Sequence, residues 1–136
     1  MYEVFEHTAD LGLRVRAADL NALCVEAGHA LLSVLMENVG EVRPVQTVAI
    51  RCAADEPALV LFDWLSELLY QFDVHHLVFC RFAVTVTAAG LEGSATGEPF
   101  DRDRHILLHE VKAITYHGLR VEQEAGGWLA EVIVDI

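Results

Sequence analysis

The chain has 136 residues, 54% of them hydrophobic, which is enough for one domain with a well-supplied core. Nine lysine and arginine residues stand against 21 acidic residues, so the formal net charge is −12. Nucleic-acid binding draws most of its affinity from lysine and arginine on phosphates, so this balance argues against direct, tight binding of RNA or DNA. An acidic surface is instead suited to a cation or to a basic protein partner.

The sequence also bears on the compartment. No apolar run approaches the roughly 20 residues that cross a bilayer, and the first residues lack the basic-then-apolar order of a signal peptide. Cys24, Cys52 and Cys80 are scattered and form no CxxC pair, so we expect them to be buried small side chains. We therefore expect a cytoplasmic protein without a membrane partner.

The first half of the chain predicts two strands, a helix, a third strand and a second helix. Residues 2–8 and 11–17 are typical of strands, and LRVRA alternates cleanly between apolar and basic positions. Asp19 is a suitable N-cap for a helix that runs to about residue 37. After a strand at residues 45–52, Pro57 opens the second helix, because proline is tolerated in the first turn.

The second half predicts only strands. They span residues 77–88, 90–96, 111–116, 119–124 and 128–136, with a turn or a bulge at residues 97–99, turns at 117–118 and 125–127, and a polar loop at 101–105. Each helix has one apolar face and needs a sheet to cover it. The order predicts a single domain over residues 1–136 of the α+β class, a two-layer sandwich with two helices packed on a mostly antiparallel β-sheet.

Two carboxylate positions are candidates for a cation site. Asp10, in EHTADLG, lies where two predicted strands meet and is either a turn aspartate or a ligand of a hard cation. At the other end of the chain, Asp135 and the α-carboxylate of Ile136 follow a strand closely, and a cation would relieve their repulsion. The alternative is a frayed terminus, against which the alternation of residues 128–136 argues.

The stretch GEPFDRDRH at residues 97–105 is either a solvated loop or a source of oxygen ligands, Asp101 among them. His105 and His109 lie four residues apart, but the chain has no HExxH motif and no cysteine–histidine pairing at zinc spacing. GxSxG, GxGxxG and GxxxxGK[ST] are also absent, so self-contained enzymatic chemistry has little support. Lys112, the only lysine, is either a solvent-facing strand residue or a functional cation.

Five stretches, in order and across nearly the whole chain, resemble the archease family. They are EHTADLGLRVRA, DWLSELLYQFD, GEPFDRDRH, EVKAITYHGLRV and WLAEVIVDI. The resemblance implies a non-catalytic activator of the GTP- and manganese-dependent RNA ligase that acts in tRNA splicing or RNA repair. In that role the protein promotes guanylylation of the ligase's own histidine and allows multiple turnover.

The resemblance also assigns residues. It implies a divalent-cation site built from Asp10, Asp135 and Ile136, whose oxygen ligands suit Ca²⁺, Mg²⁺ or Mn²⁺. Lys112 falls on the lysine implicated in activation, and we assign Asp101 and His105 with it to activation or partner contact. Two other functions stay open, which are a general chaperone or modulator of RNA-modifying enzymes and a metal-dependent hydrolase that uses Asp10, Asp101, His105 and Asp135.

Overall fold

The computed structural model describes residues 1–7 and 9–136, so Thr8 of the first predicted strand lies outside the described residues. The elements of this part of the chain are, in order, β1 (Tyr2–His7), β2 (Asp10–Ala17), α1 (Leu20–Leu35), β3 (Gln46–Ala53), α2 (Pro57–His75), β4 (Leu77–Thr87), β5 (Gly90–Pro99), β6 (Ala113–Glu124) and β7 (Gly127–Asp135). A single turn of 3₁₀ helix, Val39–Glu41, precedes β3.

The structure confirms the α+β class, with two helices packed on antiparallel strands. The strands form two sheets, however, one in the order β1-β2-β7-β6 and the other in the order β3-β5-β4. Both helices contact strands of both sheets. The buried residues of α1 include the consecutive pair Leu23 and Cys24 as well as Gly28 and Leu32, so α1 is buried on more than one face. Such a helix needs cover from more than one side, which the two sheets provide.

Side chains in the helical layer explain how the two helices begin and how they pack. The carboxylate of Asp19 accepts a hydrogen bond from the Ala22 N–H at 2.8 Å, which confirms the predicted N-cap. The indole Nε1–H of Trp64 in α2 donates to the Cys24 carbonyl of α1 at 2.8 Å. Trp64 is fully buried, and this bond satisfies its one polar atom. No helix in the described part of the chain is long and apolar enough to cross a membrane.

The predicted tight turn at residues 117–118 is wrong. Residues 113–124 form one strand, β6, whose register with β7 shifts between Thr115 and Arg120. Thr115 faces Ile133 and Arg120 faces Glu131, so the intervening residues of β6 have only one counterpart in β7 and must bulge. Gly118 has a φ of 73°, a conformation that a bulge uses as readily as a turn.

Of the turn or bulge predicted at residues 97–99, the turn is absent, because β5 continues to Pro99. Gly97 pairs with Phe79 of β4, next to a register irregularity between Phe79 and Arg81. A Cβ atom at Gly97 would overlap the Val78 carbonyl oxygen and would lie 2.7 Å from the Phe79 Cα. The glycine is therefore required by the close approach of two backbones.

We expect Gly97→Ala to lower the free energy of unfolding by about 2–4 kcal/mol, because the methyl group overlaps backbone atoms that cannot move independently. Urea titration followed by circular dichroism measures the loss. Gly40→Ala is the matched control, since nothing lies within 4 Å of its added Cβ, and its effect should stay within about 0.5 kcal/mol. Equal free energies for the two variants would contradict the close approach of β4 and β5.

Candidate metal and partner site

Strand register brings Asp10 and Asp135 to the same end of the four-stranded sheet. Asp10 begins β2 and Asp135 ends β7, and Leu11 pairs with Val134 in the antiparallel ladder between these strands. The same register continued by one residue places Asp10 opposite Asp135. Both residues are half-buried. Carboxylates that are 125 positions apart in the sequence are thus neighbours across two hydrogen-bonded strands.

Lys112 and Ile136 lie at this end as well. The backbone N–H of Lys112 donates to the Asp135 carbonyl at 2.7 Å, immediately before Ala113 pairs with Asp135. The Lys112 side chain is exposed, whereas Ile136 is half-buried and packs against the core. The last strand is therefore held through Asp135 rather than frayed, and the backbone of an exposed lysine is bonded to it.

The backbone of Ala9, immediately before β2, is strained. Ala9 has a φ of 66°, in the left-handed region that side chains other than glycine seldom adopt. This conformation costs an alanine roughly 1–2 kcal/mol. His7 pairs with Asp10, so the ladder between β1 and β2 begins next to this residue. The strain therefore lies immediately beside one of the two candidate ligands, where backbone strain often accompanies function.

His105 lies in the interior rather than on the partner-contact surface to which the sequence assigned it. Only 2% of His105 is exposed. Its Nδ1 accepts a hydrogen bond from the Asp101 N–H at 2.9 Å, and its Nε2 lies 3.1 Å from Oε2 of Glu98. A ring whose two nitrogens are both engaged cannot contact a partner directly. The geometry is that of a residue that fixes the loop.

Glu98 is the centre of this buried network. It accepts from the Arg43 N–H at 2.7 Å, from the Arg104 guanidinium and from His105. Burial alone raises the pKa of Glu98, but these hydrogen bonds outweigh it and lower the pKa to about 2. The Asp101 carboxylate accepts from the Asp103 N–H at 2.9 Å and remains partly exposed, so it can still face a partner.

The surroundings of the carboxylates are acidic and partly apolar. Beside Lys112, a groove of about 320 Å³ lies between α2 and β6, lined by Ser66, Leu69, Tyr70, Asp73, Val74, Ala113 and Ile114. Burial and the nearby Glu110 raise the pKa of Asp73, although His76 acts against them. Two acidic groups, Asp73 and Glu110, therefore lie close to each other near the start of β6.

Within residues 1–7 and 9–136, no three histidine, cysteine, aspartate or glutamate side chains converge as metal ligands. The predicted set has two aspartates, and its third member is the α-carboxylate of Ile136. Oxygen donors of this kind suit hard divalent cations. The free cysteines are unsuited to metal binding. Burial raises the pKa of Cys24 to about 12 and that of Cys52 to about 11, so neither thiol ionises readily.

Sequence reasoning missed two features of this end. The Glu98–Arg104 ion pair was hidden in a stretch that reads as a polar loop, and only the flanking prolyl and aromatic residues hint at burial. The exposed apolar run Ile106–Leu108 was also missed, since each side chain is about half exposed although its type is common in cores. Residue type is thus a weak signal for the buried ion pair and a misleading one for the exposed apolar run.

The fold and the site together define a small α+β domain that gathers carboxylates and one lysine at one end of an antiparallel sheet. A model of the archease protein family matches residues 2–136, and the chain belongs to this family. It is 38% identical over 139 residues to protein archease of Methanopyrus kandleri, covering 99% of each chain.

Two solved structures share this fold. The solution structure of protein 1598 of Methanobacterium thermoautotrophicum superposes with a TM-score of 0.86 at 30% identity, covering 99% of this chain and 98% of that one. The crystal structure of an archease of Thermotoga maritima, described as a possible chaperone, gives a TM-score of 0.66 at 19% identity, covering 100% and 98%. At that identity the second comparison supports the fold alone.

We expect the buried network to make the free energy of unfolding depend on pH in the acid range. The pKa of Glu98 falls from 4.5 to about 2 on folding, so its ionised form stabilises the native state above pH 4.5 and this contribution is lost as the pH falls through 2. Glu98→Gln, which mimics the protonated acid, should lower the free energy of unfolding by about 2 kcal/mol at neutral pH. In urea titrations the difference between parent and variant should shrink as the pH falls from about 4.5 to about 2. A difference that does not change with pH would contradict the assignment.

Proposed function

We propose that this protein is a non-catalytic, divalent-metal-binding activator of the GTP- and manganese-dependent RNA ligase, acting in tRNA splicing or RNA repair. Membership of the archease family supports the proposal, and one observation carries it. Antiparallel pairing places Asp10, Asp135, Ile136 and Lys112 at one end of a single sheet. The domain thus presents carboxylates and the ammonium group of a lysine together, as a site that acts on a partner protein would require.

The residues present fit a hard divalent cation. The carboxylates of Asp10 and Asp135 and the α-carboxylate of Ile136 would hold it, and the pairing of Val134 with β2 and of Asp135 with β6 limits how far they can move. A bound cation would neutralise these carboxylates and would offer further coordination positions to phosphate oxygens. Asp10 and Asp135 are only half-buried, so such positions would face solvent or a partner.

Lys112 supplies a mobile point charge beside this site. Its backbone is fixed by the bond to Asp135, whereas its side chain is exposed and free to reach outward. An ammonium group donates in several directions and suits either a nucleotide phosphate or a carboxylate of the ligase. In our proposal Lys112 orients one of these groups while the ligase's own histidine is guanylylated.

The charge of the domain fits a protein partner rather than RNA. A formal net charge of −12 would repel nucleic acid and attract the basic cleft in which a ligase binds RNA. Complementary charge mainly raises the association rate and fixes orientation. An activator that must leave the ligase after each cycle would benefit from fast, salt-sensitive binding of this kind.

We expect Asp10→Ala combined with Asp135→Ala to abolish binding of Mn²⁺ or Ca²⁺ by the isolated protein, measured by isothermal titration calorimetry. Stimulation of guanylylation of the purified ligase at limiting metal should fall at least about tenfold, the range seen when groups around a metal are removed. The expected cause is the loss of both carboxylates that hold the cation.

Asp55→Ala with Glu56→Ala is the matched control, because it removes the same charge from exposed positions. These residues precede α2, whereas the α2 residues that line the groove beside Lys112 all lie from the middle of that helix onward. The control should bind metal and stimulate the ligase as the parent does. Unchanged guanylylation and turnover with the site variant would overturn the proposed mechanism.

We expect Lys112→Ala to reduce stimulation strongly and Lys112→Arg to restore it only in part, because a planar guanidinium cannot replace a compact ammonium. The same guanylylation assay measures both variants, with melting temperatures to confirm folding. Full activity of the arginine variant would mean that charge alone matters. Full activity of the alanine variant would remove Lys112 from the mechanism.

The competing functions make different predictions. A general chaperone would suppress the aggregation of unrelated clients without metal, and the Thermotoga maritima protein is described as a possible chaperone. A hydrolase that used Asp10, Asp101, His105 and Asp135 would show phosphatase or nuclease turnover on its own. The buried, doubly hydrogen-bonded ring of His105 argues against such a base.

A further inference from the structure

Three consecutive apolar side chains remain unexplained by the proposed site. Ile106, Leu107 and Leu108 are 51%, 50% and 51% exposed, between the buried His105 and the buried Val111. Isolated exposed apolar residues are common, but a contiguous run rimmed by polar residues marks an interaction surface. We call residues 106–108 the apolar segment.

The backbone of the apolar segment is fixed although its side chains face solvent. The Ile106 N–H donates to Oδ1 of Asn38 at 2.9 Å, and the Glu37 N–H donates to the Ile106 carbonyl at 2.9 Å. The Leu108 N–H donates to the Leu35 carbonyl at 2.9 Å. The backbone of the segment is thus pinned to the end of α1.

The apolar segment lies at the same end of the domain as the carboxylates. Leu108 precedes Lys112 by four residues, a span of at most about 14 Å. The Lys112 N–H donates to the Asp135 carbonyl, so this short span of chain ends beside one of the candidate carboxylates. A partner that covered the segment would therefore also reach the candidate site.

Charge decides what covers the segment. Glu37, Asp103 and Glu110 are exposed acids around the segment, against the exposed bases Arg102 and Lys112, so acidic groups are in excess at its rim. A second copy of a chain with a net charge of −12 would bring like charges together. The surface therefore fits an apolar pocket with a basic rim.

We infer that Ile106, Leu107 and Leu108 are the docking anchor for the RNA ligase, received by an apolar pocket bordered by lysine and arginine side chains. This inference rests on the proposed function and adds the orientation of the complex. With the anchor seated, Asp10, Asp135 and Lys112 are directed at the same face of the partner. The anchor determines affinity, and the carboxylates and lysine determine the activity of the bound complex.

The test uses the full chain with Ile106→Ser and Leu108→Ser combined, and Val4→Ser as the matched control. Val4 is an aliphatic residue on the edge strand β1 and is 42% exposed. Affinity for the purified ligase is measured by isothermal titration calorimetry at two salt concentrations, and guanylylation is followed against activator concentration. Melting temperatures within about 5 °C of the parent confirm that both variants fold.

We expect the double variant to bind about tenfold more weakly, as loss of an interface anchor does, and to reach the parent's maximal stimulation once saturating. Val4→Ser should match the parent in both measurements. Unchanged affinity of the double variant, with the parent still active, would overturn the anchor and leave the proposed function standing.

Other outcomes separate the two ideas. A parent that binds the ligase without stimulating it, and loses binding in the double variant, would support the anchor and overturn the activator function. A parent that neither binds nor stimulates would overturn both. Light scattering that shows a dimeric parent and a monomeric double variant would assign the surface to a second copy of the chain, against our inference.

Discussion

The pairing of β7 on both of its edges is the constraint on which the rest of this structure depends. β2 lies on one side and β6 on the other, so β6 joins the β1–β2 pair in one sheet only through β7. Val132 and Val134 of β7 are fully buried, and the strand also contacts the helix α1. The same pairing fixes Val134 to β2 and Asp135 to β6, so the stability of the sheet and the geometry of the carboxylates have one origin.

Local pattern predicted the elements well and their arrangement less well. The alternation in LRVRA and the cap at Asp19 determine a strand and a helix start from neighbouring residues, and both are found. Alternation tells which face of a strand is buried but not which strand lies beside it. The division into two sheets, and the continuity of β6 through Gly118, depend on partners distant in sequence, so no local pattern could give them.

The same limit applies to the site. Asp10, Asp135 and Lys112 could be singled out from the sequence, and register now places them together. The carboxylates and histidine of GEPFDRDRH look alike in the sequence, yet Glu98 and His105 are buried while Asp101 stays partly exposed. Burial of a charged group is decided by whether hydrogen-bonding partners meet it in three dimensions, and Arg43, Arg104 and His105 do so for Glu98.

The buried network around Glu98 fixes the conformation of the exposed apolar segment. A connection between β5 and β6 that carried only polar residues would sample many conformations, and a partner would have to order it on binding. Glu98 and His105 fix the first part of this connection, and Asn38 joins it to the apolar segment by accepting from Ile106 and donating to the Arg104 carbonyl at 2.8 Å. The segment is therefore ordered before any partner arrives. Because this ordering is internal to the domain, loss of the network should weaken binding through conformational entropy even though none of its buried side chains touches the partner.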